Sequence, residues 1–208
     1  MTGSEKRPDF PAHWFQRIDD TPDEAFYSSP RFVAHIDTAT IEALTNFYQD
    51  FVPSGSDVLD LMSSWISHLP TNVRYGRVAG LGMNAAELQA NPQLTDFVVH
   101  NLNERPQLPY DDASFDRILI AVSVQYLTRP AAVMTSARRA LRRDGAICIA
   151  MSHRLFPSKA ILAFHELRPV ARVQLAGRYL EAAGFSDIEF IDRSPAGADP
   201  LWLVTARP

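Results

Sequence analysis

A chain of 208 residues, 46% hydrophobic and 21% charged, has enough apolar side chain to fill one core of ordinary size. Its net charge of −4 leaves no electrostatic footprint for nucleic acid, and no apolar run reaches the ~18 residues of a membrane span. Its one cysteine, Cys148, stands in an apolar run; it reads as a buried structural thiol and excludes a disulfide framework. The expectation is a soluble, cytoplasmic protein, monomer or homodimer, with no nucleic-acid or membrane partner.

Residues 1–20 are polar, contain proline and lack an apolar signal core, so they read as a poorly ordered or loosely docked arm. A helix follows at 38–51, with apolar residues at Ile41, Leu44, Phe47, Tyr48 and Phe51 and Asp37 as its N-cap. The first strand is 57–61, running into "MSSWISHLP", where a short helix is expected to carry His68. Further strands are expected at 73–79, 96–100, 117–123 and 146–151, the last two as continuous apolar runs buried on both faces. Helices between them are expected at 85–90, closed by Pro92, and at 130–143, opened by proline and stopped by Gly145. The basic run Arg138, Arg139, Arg142 and Arg143 then lies at a helix end, where cations suit the dipole. A helix at 170–183 stops at Gly184, and strands at 187–191 and 201–205 follow with only a turn-rich link between them.

Strand–helix alternation with continuously apolar strands predicts an α/β fold: a doubly wound, mostly parallel seven-stranded sheet with helices on both faces. The helix-free link before the last strand makes that strand antiparallel. The expected organisation is a 1–52 arm and helix covering the site, followed by a 53–208 Rossmann-like domain.

Four segments carry a family resemblance. "VLDLMSSWISHLP" stands for a strand ending in aspartate and then a turn, and "GRVAGLGMNAAELQANP" for the second strand and its helix. "HNLNERPQLPYDDASFDRILIAVSVQYLTRP" covers the third and fourth strands, and "ARRALRRDGAICIAMS" a helix, turn and fifth strand. Together they resemble the class I S-adenosylmethionine-dependent methyltransferases, type 11-like branch, with "LPYDDASFD" the most specific piece. The first motif departs from the family in having no glycine, Gly82 stands where a ribose-binding carboxylate is usual, and Asn101 stands for an aspartate facing adenine.

The resemblance implies S-adenosylmethionine as cofactor and methyl transfer to oxygen or nitrogen of a small-molecule acceptor. The cofactor-binding residues it implies are Asp60, Leu61, Met62 and Ser63 after the first strand, Gly80, Leu81, Gly82 and Met83 after the second, and Asn101, Leu102 and Val122 beyond the third and fourth. Ser63 and Ser64 would supply hydroxyls in place of close backbone approach. Histidine is the natural base near neutral pH, which selects His35 and then His153, with Tyr126 beside them as a wall residue or acid. Tyr27, Arg31, Ser123, Arg154 and Lys159 are the candidate substrate contacts. No HExxH or CxxC spacing suggests a metal, G-x-G-x-x-G is absent, and no G-x-S-x-G elbow occurs. Two other readings stay open: a methyltransferase-fold scaffold that has lost its chemistry, and a cyclase that uses the cofactor only as an electrostatic partner.

Overall fold

The structure is a computed structural model that describes residues 10–208. Its centre is a seven-stranded sheet of order β3-β2-β1-β4-β5-β7-β6. In chain order the elements are α1 (Asp23–Tyr27), α2 (Thr38–Phe51), β1 (Asp57–Leu61), β2 (Arg77–Gly82), α3 (Ala85–Ala90), β3 (Asp96–Val99) and β4 (Phe115–Ala121). There follow α4 (Pro130–Ala140), β5 (Leu141–Met151), α5 (Ala163–Glu166), α6 (Pro169–Ala182), β6 (Ser186–Asp192) and β7 (Trp202–Arg207). All neighbours from β3 to β5 are parallel, and β7 runs antiparallel between β5 and β6. The doubly wound α/β expectation therefore holds, with strand order reversing between β1 and β4.

Alternation along the strands divides the core. Leu59, Leu81, Ile118, Ile120 and Ile149 point to one face, where α4 and α6 cover them through Val133, Met134, Leu175 and Tyr179. Val58, Val78, Leu119 and Cys148 point to the other, against Leu44, Tyr48 and Val52 of α2 and its end. Helix α2 is thus a sheet-covering helix, packed beneath the strands. Its N-terminus is fixed as expected, with the Asp37 carboxylate accepting from the Thr40 N–H at 2.9 Å. Cys148 is fully buried and burial pushes its thiol pKa up, which suits a structural role.

Several boundaries differ from the sequence reading. Strand β2 starts at Arg77 because residues 73–76 are spent in turns. Strand β4 spans Phe115–Ala121, its last two expected residues being used to leave the sheet. Helix α4 ends at Ala140, so Arg142 and Arg143 belong to β5. Arg142 bonds Asp57 at 2.8 Å and Asp116 at 2.6 Å across the start of the sheet, and Arg139 pairs with Asp112. These arginines join elements as well as complementing a helix end.

Two corrections bear on function. Residues 62–76 pass from β1 to β2 without a helix, so His68 lies in an irregular segment, held at φ 57°. In the arm, residues 1–9 lie outside the described residues, whereas 10–20 are firmly docked. Phe10 sets its ring edge on Tyr179 at 5.3 Å, and Arg17 bridges to Ile161 and donates to Asp23 at 2.6 Å.

Ala113, in the exposed "DDAS" turn, holds φ 52°, a left-handed conformation that costs a residue with a Cβ about 1–2 kcal/mol. Ala113→Gly is expected to stabilise the fold by ~0.5–1 kcal/mol after the extra unfolded-chain entropy of glycine is deducted, read as a higher urea midpoint at unchanged slope. A lower midpoint would contradict it.

Candidate functional site

A cleft opens at the carboxyl ends of β1, β2 and β4, where open α/β sheets bind ligands. Its open space, out to the mouth, is about 1130 Å³. The floor comes from the turn after β1. Asp60, 3% exposed, accepts at Oδ2 from the Ser63 hydroxyl at 2.5 Å and the Ser67 hydroxyl at 2.7 Å. The Asn91 amide fastens the same turn, donating to the Ser64 carbonyl at 2.9 Å and Ser67 Oγ at 2.8 Å. The Ser63 N–H reaches the Leu81 carbonyl at 2.8 Å.

This packing explains Gly82. A Cβ there would collide with the Ser63 carbonyl oxygen, so the residue facing the β1 turn must have no side chain. A carboxylate stands about one helical turn past the end of β2, that of Glu87. It is 9% exposed and lines the cleft. Its Oε2 accepts from the Ser64 hydroxyl at 2.6 Å and its Oε1 from the Arg31 N–H at 2.7 Å. Asn84 caps α3 by accepting from the Glu87 N–H at 3.1 Å, and its amide donates to the Tyr27 carbonyl at 2.8 Å. The spacing Asn84-x-x-Glu87 is a capping-box pattern and was the available sequence signal, although this glutamate turns outward to the cleft.

Backbone strain gathers at the same place. Of the five non-glycine residues at positive φ among the described residues, three line the cleft: Met62 at 63°, His68 at 57° and Val122 at 49°. For β-branched Val122 this is a marked outlier, held by the Val122 N–H on the Ala150 carbonyl at 2.8 Å and by Gln125 donating to its carbonyl at 2.9 Å. Met62 takes the conformation for which glycine is ordinarily used. Strain concentrated around a cavity marks functional sites more often than scaffolding. Beside Val122, the buried hydroxyl of the cleft-lining Ser123 has no hydrogen-bond partner among the described residues, and neither has Nδ1 of His68.

Most of the residues selected from the sequence meet here. Asp60, Met62, Ser63, Leu81, Gly82 and Met83 line the cleft floor; Asn101, Leu102, Val122 and Ser123 line its far side. Tyr27, Arg31, His35 and Tyr126 form the wall opposite, with Phe156. Trp65 leaves the cleft open: it stands at the rim, its indole N–H donating to the Val33 carbonyl at 3.2 Å.

Others lie elsewhere. Leu61 is fully buried in the core, and the Cβ position of Gly80 is filled by Leu94. Asn101, in the cleft lining, donates from its amide to Glu24 at 2.7 Å and accepts from the Asn103 N–H at 2.9 Å. His153 and Arg154 are outside the cleft, joined to Asp199 at 3.1 and 2.9 Å; Asp199 in turn exchanges bonds with Asp37 at the start of α2. Lys159 is wholly buried, donating to the Thr21 carbonyl at 2.6 Å and paired with Asp19 at 3.2 Å. These three are fasteners of the arm. Sequence reading also missed Asp23, His68, His100 and Asn103, which line the cleft through long-range folding.

Electrostatically the cleft has two ends. Burial raises the Asp60 carboxyl to about 6, against the bonds from Ser63 and Ser67 that favour its charged form. Burial lowers His35, with the nearby Arg31 adding to it and Glu87 opposing, and lowers His68 to about 4. Both imidazoles are therefore neutral near pH 7. Burial raises Tyr126 to about 12 and pushes Tyr27 further up, so both phenols keep their protons. Among the described residues, no group of histidine, cysteine and acidic side chains is arranged for a metal ion, and no helix is long and apolar enough to cross a membrane.

Residues 66–149 match the sequence model of a family described as "Methyltransferase domain". No curated protein matches the chain closely enough to count as a relative. Among solved structures it is similar to an S-adenosylmethionine-dependent methyltransferase from Mesorhizobium loti (17% identity, 81% of this chain and 100% of that one, TM-score 0.58). It is also similar to Haemonchus contortus phosphoethanolamine N-methyltransferase 2 in complex with S-adenosyl-L-methionine (13%, 80% and 52%, TM-score 0.58). A third is the [4+2]-cyclase SpnF (14%, 79% and 80%, TM-score 0.59). Likeness at this identity shows the fold. The matched segment is thus similar to a methyltransferase domain, and the fold is the one seen in S-adenosylmethionine-dependent methyltransferase structures.

Asp60 makes stability depend on pH in a stated direction. Its folded value of about 6 exceeds the ordinary 3.8, so between those values the folded state keeps a proton that the unfolded chain has lost. Stability falls as pH rises through that window, by ~1–3 kcal/mol. Asp60→Asn removes the charge, so its stability relative to the natural chain is expected to improve between about pH 4 and pH 7 in urea denaturation. Parallel pH profiles for the two proteins would contradict the assignment.

Proposed function

We propose that the chain binds S-adenosylmethionine in this cleft and transfers its methyl group to an oxygen or nitrogen of a small molecule. The observation that carries the reading is the pairing of two buried carboxylates, Asp60 and Glu87, with an unpartnered Ser123 hydroxyl around one cleft at the strand ends. A cofactor with an ammonium group, a ribose diol and a flat base matches that donor and acceptor set.

Asp60 would receive the ammonium, and the positive charge would hold its carboxylate ionised despite burial. Glu87 would accept from the ribose hydroxyls in place of the carboxylate absent at Gly82. Leu81, Met83, Leu102 and Val122 offer the apolar slot for the base, methionine being adaptable against a flat ring. When bound, the cofactor supplies an electrophilic methyl on a sulfonium. The protein's part is then to align the acceptor, exclude water and remove a proton. His35, neutral and beside the cleft, would take that proton; Tyr27 and Tyr126, kept as phenols, would wall the acceptor side. The 23–35 segment would carry most of that wall.

Calorimetry with S-adenosylhomocysteine tests the binding half. Micromolar affinity is expected, weakened roughly 30-fold, ~2 kcal/mol, in Asp60→Ala and by less in Glu87→Gln. Affinity should also fall as pH drops below about 6, where Asp60 gains its proton. Absence of heat at millimolar ligand would overturn the reading in favour of a scaffold. With an acceptor in hand, His35→Asn should lower turnover about 10²-fold or more and leave homocysteine-nucleoside affinity unchanged. A product without an added methyl unit would indicate cyclase-type chemistry instead.

A further inference from the structure

Resting on the methyltransferase reading, we infer that the acceptor is a planar acid of one or two rings, its carboxylate received by Arg31 and its reacting O–H or N–H presented to His35.

Among the described residues, Arg31 is the sole arginine or lysine lining the cleft. The neighbouring cations are all neutralised: Arg17 by Asp23, Arg154 by Asp199 and Lys159 by Asp19. Among the described residues Arg31 has no ion-pair partner. Its guanidinium is nevertheless fixed, with the Cζ 4.3 Å from the Phe26 ring centroid and 5.6 Å from that of Phe156. One edge is used on backbone, donating to the Phe26 carbonyl at 2.8 Å and the Ser29 carbonyl at 3.3 Å. A rigid, uncompensated guanidinium at a cleft is a prepared receptor for a carboxylate, since little order is lost when it binds.

Shape follows from Phe156. It stacks on Tyr126 with centroids 5.8 Å apart, and the His35 ring stands edge-on to it at 5.1 Å. Anion receptor and base therefore both pack on one aromatic ring, close enough together for a one- or two-ring molecule to reach both. A flat acceptor packs along this wall. In the reaction the acceptor heteroatom forms a bond to the methyl carbon as the carbon–sulfur bond breaks; the electron pair stays on sulfur, leaving a neutral thioether, and the acceptor proton passes to an imidazole nitrogen of His35.

The probes are 3- and 4-hydroxybenzoate, 6-hydroxy-2-naphthoate and their carboxamides, titrated into the full chain with and without S-adenosylhomocysteine by calorimetry and saturation-transfer NMR. At least one acid is expected to bind about tenfold or more tighter than its carboxamide. Arg31→Gln should abolish that ratio while S-adenosylhomocysteine affinity stays within about twofold, and Arg31→Lys should retain part of it. Equal binding of acid and carboxamide to the natural chain overturns the inference whatever the variants do. So does an undiminished ratio in Arg31→Gln, or no binding of any acid at ~5 mM. Homocysteine-nucleoside binding without acid binding sinks this inference alone; acid selectivity without nucleoside binding supports the anion receptor and sinks methyl transfer.

Discussion

The site depends on a buried carboxylate held by two serine hydroxyls. Asp60 bonds Ser63 and Ser67, and those contacts fold the segment after β1 back onto the end of β2. Nucleotide-type folds ordinarily use glycines at this exit so that backbone can approach a ligand. Here the bends fall on Met62 and His68, both at positive φ, and the polar bonds of Asp60, Glu87 and Asn91 stabilise them. The first crossover has no helix, and hydroxyls occupy the place of bare peptide. The requirement for glycine has moved to Gly82, where the Ser63 carbonyl lies.

From this arrangement follows a division of charge along the cleft. Asp60 and Glu87 gather at the strand ends, where a cation would be welcome. Arg31 and the neutral imidazole of His35 stand on the arm, where an acid with a removable proton would be. The two ends are linked by Glu87, which bonds Ser64 of the turn and the Arg31 N–H of the arm. The arm itself is fastened from below by buried Lys159 and by Arg17. The stretch of the arm that lines the cleft is therefore part of the folded body, and a preorganised surface loses little entropy on binding.

Much of the fold was legible because its signals are local. Continuous apolar runs marked β4 and β5, Asp37 announced α2, and the helix-free link announced the antiparallel edge. The cleft was legible in part, since the sheet topology alone brings Asp60, Gly82 and Val122 to one end. What sequence could not show arises from contacts between distant residues. Arg154 and Lys159 read as free cations because their partners, Asp199 and Asp19, lie 45 and 140 positions away in the chain. The bond from the Asn101 amide to Glu24 spans 77 positions and is equally invisible in the local sequence. Glu87 was not selected, since nothing local shows that Ser64 and Arg31 converge on it.

The most direct measurement is a crystal structure of the protein grown with S-adenosylhomocysteine. The account predicts the nucleoside in the cleft, its amino group on the Asp60 carboxylate, its ribose hydroxyls at Glu87, and Ser63 and Ser67 still bonded to Asp60. A nucleoside seated away from both carboxylates, or a β1 turn that has to unfold to admit it, would contradict the claim that hydroxyls have replaced glycines there.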